Sequence, residues 1–152
     1  MRLVIAAVGR SRRDAARQLY DDYAGRLPWP LELREVEERK PLPSAKRIER
    51  EAEKLLAALP PGATLVALDG GGRQLSSTAF AKALGNWRDS GVRHLGFVIG
   101  GADGLDQALI GRAELVLSLG PMTWPHLLVR ALLAEQLYRA SAILAGHPYH
   151  RE

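Results

Sequence analysis

Apolar positions along this chain fall into two alternating patterns. Residues 3–8 form a continuous apolar run ending at Gly9, the mark of a strand buried on both faces. Ser11 and Asp14 then open a helix as a loose capping box. Ala15, Leu19, Tyr23 and Leu27 follow at helical spacing until Pro28-Trp29-Pro30 stops it. Leu31-Glu32-Leu33-Arg34 alternates as a half-exposed strand does, and Lys40-Pro41-Leu42-Pro43 reads as a loop. From Ser44, the positions Ile48, Ala52, Leu55, Leu56 and Leu59 predict an amphipathic helix closed by Pro60-Pro61-Gly62. Residues 63–68 predict a second buried strand running into the turn Asp69-Gly70-Gly71-Gly72-Arg73, after which Ser76-Ser77 cap a helix through Trp87. Residues 94–99 predict a third such strand. A short helix over 105–111, a strand over 115–117 and a long helix from Pro125 to Ala145 complete the pattern, leaving the tail 146–152.

Strand and helix alternate throughout, so the expected class is α/β with a mostly parallel sheet flanked by helices. With 152 residues and no linker or internal repeat, the chain reads as one domain spanning 1–152. Composition adds exclusions. At 47% hydrophobic and 25% charged residues the chain is neither disordered nor fibrous. Its first apolar run is far short of the ~20 residues of a membrane span and lacks a cleavage site, so the expectation is a soluble cytoplasmic protein without membrane contact. Zero cysteines rule out disulfides, iron–sulfur clusters and thiolate zinc sites.

Three predicted strands end in glycine-containing turns, after Leu68, Ile99 and Leu119. In open α/β sheets ligands bind at the carboxyl ends of strands, and glycine lets main-chain groups approach them closely. Three such turns together point to one pocket lined chiefly by backbone. It is not a phosphate loop, because neither G-x-x-x-x-G-K-[ST] nor G-x-G-x-x-G occurs, and no G-x-S-x-G elbow supplies a hydrolase nucleophile. A nucleotide-binding hydrolase or transferase is therefore disfavoured. His147-x-x-His150 lacks the thiolate or acidic partners of a metal site apart from Glu152, so no metal is expected. His94 reads as a surface residue. His126 opens the long helix straight after a glycine loop, with Arg130 one turn later on the same face. A cation early in a helix opposes the macrodipole, so Arg130 has a task other than helix stability. The tail gathers two imidazoles, a phenol and a guanidinium, groups that stack on bases and pair with phosphate.

Several motifs together resemble one family: Leu68-Asp69 with Gly72-Arg73, Leu75-Ser76-Ser77, Ile99-Gly100-Gly101-x-x-Gly104-Leu105, Met122-Thr123-x-Pro125-His126, Tyr138-Arg139-Ala140 and His147-Pro148-Tyr149-His150-Arg151. They resemble the small SPOUT-class methyltransferases that act on N3 of a pseudouridine in helix 69 of 23S ribosomal RNA, from Leu3 to the last residue. The resemblance implies a C-terminal deep trefoil knot (α/β-knot), which topology rules alone would exclude. It implies a homodimer, the ribosome as RNA partner and S-adenosylmethionine as cofactor, held bent by backbone groups. Carried over by motif, Leu68, Gly100, Leu119, Gly120, Pro121, Met122, Thr123 and Trp124 bind the cofactor. His126, Arg130, His150 and Arg151 become the catalytic candidates, with Tyr149, His150 and Arg151 also on the RNA. Gly120-Pro121 and Ala102-Asp103 depart from the usual family pattern, and Pro121 removes one backbone donor. The competing reading is a non-enzymatic α/β ribosome-binding factor with vestigial glycine loops.

Charge refines this expectation. The net charge is +4 with a pI near 9.8. Residues 1–89 hold 16 cations against 12 carboxylates, whereas residues 90–152 hold five of each. Arg10, Arg12, Arg13 and Arg17 cluster just after the first strand, as a phosphate-backbone footprint would.

Overall fold

The computed structural model describes Met1–Glu152. Five strands, β1 (Arg2–Val8), β2 (Leu31–Val36), β3 (Thr64–Gln74), β4 (His94–Ile99) and β5 (Leu115–Ser118), form one sheet in the order β2-β1-β4-β3-β5. Every pairing is parallel. All carboxyl ends therefore lie on one edge. The helices are α1 (Ala15–Arg26), α2 (Ser44–Ala57), α3 (Ser77–Asp89), α4 (Gln107–Ile110) and α5 (His126–Ala145).

The strands are apolar on both faces because both faces are covered. Leu3, Ile5, Phe97 and Val66 pack with Tyr20 of α1, Phe80 of α3 and Leu133 and Leu137 of α5. The alternate positions Ala6, Val98 and Ala67 pack with Leu55 of α2 and Leu109 of α4. α5 lies between α1 and α3, which explains why it carries apolar residues on more than one side. No helix is long and apolar enough to cross a membrane.

Boundaries differ from the sequence reading in instructive places. Asp14, not Ser11, caps α1, its side chain accepting from the Arg17 amide at 3.0 Å. Ser11 is drawn away by Glu35. β3 does not stop at Leu68. Leu117 pairs with both Leu68 and Arg73, so residues 69–72 arch out of the ladder and the strand rejoins β5 through Gln74. Gly72 crosses so closely that a Cβ there would stand 2.6 Å from the Val116 carbonyl oxygen. Glycine composition marked a turn at this point, whereas the backbone uses it for close approach.

Candidate functional site

The loops leaving β3, β4 and β5 converge at the carboxyl edge on a cavity of about 450 Å³. That is ample for a nucleoside-sized ligand. Leu68, Gly100, Leu119, Gly120, Pro121, Met122, Thr123 and Trp124, the cofactor candidates from the sequence, all line it. Its lining includes the apolar Leu105 and Leu117 and five glycines, which offer only main chain.

Gly100 and Gly104 shape the wall after β4. A Cβ on Gly100 would lie 2.8 Å from the Gly104 carbonyl carbon and oxygen, so a side chain could enter only by moving backbone. Gly104 turns the chain at φ +82, and Gly101 and Gly104 close an isolated bridge. The wall after β5 turns at Gly120, φ +103. Ser118, 5% exposed, fastens this wall. Its hydroxyl accepts from the Gly120 amide at 3.1 Å and lies 3.2 Å from the Gly70 carbonyl, joining two of the three loops. Sequence reasoning missed Ser118. The available signal was a lone polar residue ending the apolar run of β5.

His126, at the start of α5, also lines the cavity. Burial, and then the neighbouring Arg130 cation, hold its imidazole below the usual histidine range. Both causes favour the neutral imidazole over the charged one. Arg130, by contrast, does not line the cavity. It is 2% exposed and lies under the first turn of α5. One guanidinium nitrogen donates to Val8 and Gly9 carbonyls at 2.8 and 2.7 Å, and the other pairs with Glu35 and reaches Ser11 at 3.1 Å. The task inferred for Arg130 from its unfavourable place on the dipole is therefore a tie between elements.

The tail is placed elsewhere. Gly146, in the left-handed conformation, ends α5 and the chain doubles back along it. Tyr149 Oη lies 3.1 Å from both Tyr23 Oη and Glu135 Oε1. His150 Nδ1 sits 3.2 Å from Arg139, and Glu152 accepts from Thr78. Arg151 is exposed. Within one chain, Tyr149, His150 and Arg151 do not line the cavity.

The arginine cluster divides as well. Arg10 pairs with Glu37 at 3.2 Å and Arg17 with Asp21 at 3.0 Å, whereas Arg12 and Arg13 are exposed and form no ion pair. His94, expected at the surface, is half-buried at the start of β4, with Nδ1 enclosed and unpartnered. No group of three His, Cys, Asp or Glu residues is arranged to hold a metal ion.

Comparison with known proteins follows the same lines. A family model described as "Predicted SPOUT methyltransferase" matches residues 1–150. A protein of Rhodospirillum centenum named ribosomal RNA large subunit methyltransferase H is 60% identical over 151 residues, covering 99% of each chain. One of the same name from Paramagnetospirillum magneticum is 56% identical with the same coverage. Among solved structures, a probable methylase family protein from Haemophilus influenzae superposes with a TM-score of 0.58 at 9% identity, over 99% of this chain and 70% of that one. A putative methyltransferase from Legionella pneumophila, in complex with bound SAM, gives 0.52 at 13% identity over 92% of this chain and 66% of that one. At such identities the two structures bear on the fold alone, but the full-length family match and the 60% identity leave one assignment: the chain belongs to the SPOUT methyltransferase family.

Proposed function

We propose that residues 1–152 act as one methyltransferase domain that moves the methyl group of S-adenosylmethionine to N3 of a pseudouridine in helix 69 of 23S ribosomal RNA, on the assembled ribosome. The carrying observation is the three-loop cavity with His126 on its wall. The name borne by the full-length relatives supports the RNA, and the motifs from Leu68 to Arg151 support the base.

The residues fit the cofactor. The cavity has apolar side chains for an adenine ring, and a wall at Gly100 packed so tightly that any Cβ would displace the Gly104 backbone beside it. When bound, the cofactor supplies an electrophilic methyl on sulfur for in-line displacement. The chain's share is alignment, exclusion of water and handling of one proton. Residues 119–124 all line the site, and within them Met122 is 72% and Trp124 41% exposed. His126, which lines the cavity with its neutral form favoured, receives or orients the N3 proton. Arg130 holds that turn of helix in place.

The same reading includes a homodimer, in which the tail of one copy brings His150 and Arg151 to the cavity of the other. The tail's distance from its own cavity supports this, as do the apolar side chains exposed on the rim. A C-terminal trefoil knot belongs to the reading too. The full-length match to the SPOUT family supports it.

Calorimetry with S-adenosylmethionine should give binding to the wild type and none to Gly100→Ala, with both proteins folded. Mass spectrometry of the helix 69 fragment from cells lacking the protein should find the methyl group missing, and restored by the wild-type chain. A fragment still methylated in those cells would refute the assignment. An absence of cofactor binding would favour a ribosome-binding factor instead.

A further inference from the structure

Glu35 and Ser11 have no place in the reading above, yet they support the group next to the cavity. One oxygen of Glu35 accepts from the backbone amide and hydroxyl of Ser11 and from the Arg130 guanidinium. The Ser11 hydroxyl accepts in turn from Arg130 at 3.1 Å and from Arg17 at 3.0 Å. Arg130, fixed from this side, spans to the Val8 and Gly9 carbonyls at the end of β1. Gly9 adopts φ +99 and shows a bare Cα to the His126 ring. A Cβ built there would lie 3.3 Å from His126 Nε2. The imidazole thus rests on the glycine whose carbonyl Arg130 grips.

We propose that Glu35, oriented by Ser11, is a positioning residue for methyl transfer: by seating Arg130 against Gly9 it sets the place of the His126 ring at the cavity wall. This rests on the reading that His126 meets the substrate. Glu35 suits the task because its own geometry is over-determined. Its side chain, at the end of β2, is 26% exposed while that of its partner Arg130 is 2% exposed. Burial raises its carboxyl, but the hydrogen bonds from Ser11 and Arg130 outweigh this and leave it below the usual carboxylate range. It stays charged throughout the working pH range. A buried guanidinium facing only neutral carbonyls would lack a counter-ion and shift toward water, carrying the first turn of α5 with it.

The test uses the full-length protein with cofactor and ribosomes. Glu35→Gln keeps the side-chain length and one acceptor, and Glu35→Ala removes both. Cofactor affinity should stay within about twofold in each, because neither side chain lines the cavity, while kcat falls about tenfold and about 100-fold respectively. The KM for ribosomes should stay near wild type. In a double variant with His126→Ala, Glu35→Gln should add nothing to the loss from His126→Ala alone, since it acts through that ring. Should Glu35→Ala fail to fold, Glu35→Gln and Ser11→Ala carry the test, and Ser11→Ala should also lower kcat with cofactor affinity unchanged. The inference is overturned if folded Glu35→Gln turns over like the wild type, or if its loss multiplies with that of His126→Ala. A wild-type protein that fails to methylate ribosomes overturns the functional reading instead.

Discussion

Glu51 carries a carboxyl group into the packed side of α2, where it is 7% exposed and its Oε1 has no partner. Burial raises its pKa, and the nearby Asp103 charge raises it further, against the opposing Arg47 cation. Since the folded pKa exceeds the unfolded one, the folded chain binds the extra proton. The contribution of Glu51 is therefore fully present below about 4.5, the usual glutamate range, and is lost as pH rises through the folded pKa. Glu51→Gln should leave urea midpoints unchanged at pH 4 and raise them at pH 8. An equal midpoint shift at both values would mean that the proton is not the cause. Nothing in the sequence singles Glu51 out from the other charges of its amphipathic helix, because the period separates faces but does not say which charge a neighbouring loop will cover. His126 was legible for the opposite reason. A polar residue directly after a glycine loop and at a helix start has few places to point other than the cavity.

At the level of elements, the tail behaves as a docked segment rather than a frayed end. The Tyr149 ring stands edge-on to Tyr138 at 4.7 Å between centroids, and the Arg139 guanidinium lies 4.8 Å from its centre. Its hydroxyl is pinned between Tyr23 and Glu135, so Tyr149 fixes the course of the residues that follow. Deleting residues 149–152 should lower stability by only about 1–2 kcal/mol, because one partly buried aromatic is lost and the sheet is untouched. Cofactor affinity should be unaltered while methylation of ribosomes is abolished. Retained methylation would detach the tail from the reaction. The strands and helices themselves were legible because period and turn residues agree along most of the chain, the glycines after Leu68 being the exception. Two relations were not. The arch of β3 over β5 is a long-range pairing that no local pattern encodes, and Arg130 spans from α5 to β1 and β2 through partners roughly 100 residues away in the chain. Its unfavourable place on the helix dipole was a signal that it did something, without a direction.

Across the whole molecule, the excess positive charge is confined to residues 1–89, with 16 cations against 12 carboxylates, and the structure narrows it further. Arg10 and Arg17 are engaged with Glu37 and Asp21, and an ion pair already satisfied has less to offer a phosphate. Arg12 and Arg13 are exposed without an acidic partner, on the same loop as Ser11. Arg130 ties that loop to the turn bearing His126, so a phosphate contact at Arg12 and Arg13 would register RNA against the cavity as well as hold it. Backbone contacts of this kind contribute affinity through counter-ion release, and each lost contact lowers the slope of log K against log salt by about 0.7–0.9. Replacing Arg12 and Arg13 with Gln should therefore weaken ribosome binding and reduce that slope by about 1.5, with cofactor binding intact. The matching replacement of Arg10 and Arg17 should change the slope much less. If the two pairs of substitutions flatten the salt dependence equally, the footprint belongs to the loop's total charge and not to its unpaired arginines. If neither does, ribosomal RNA is gripped by another surface.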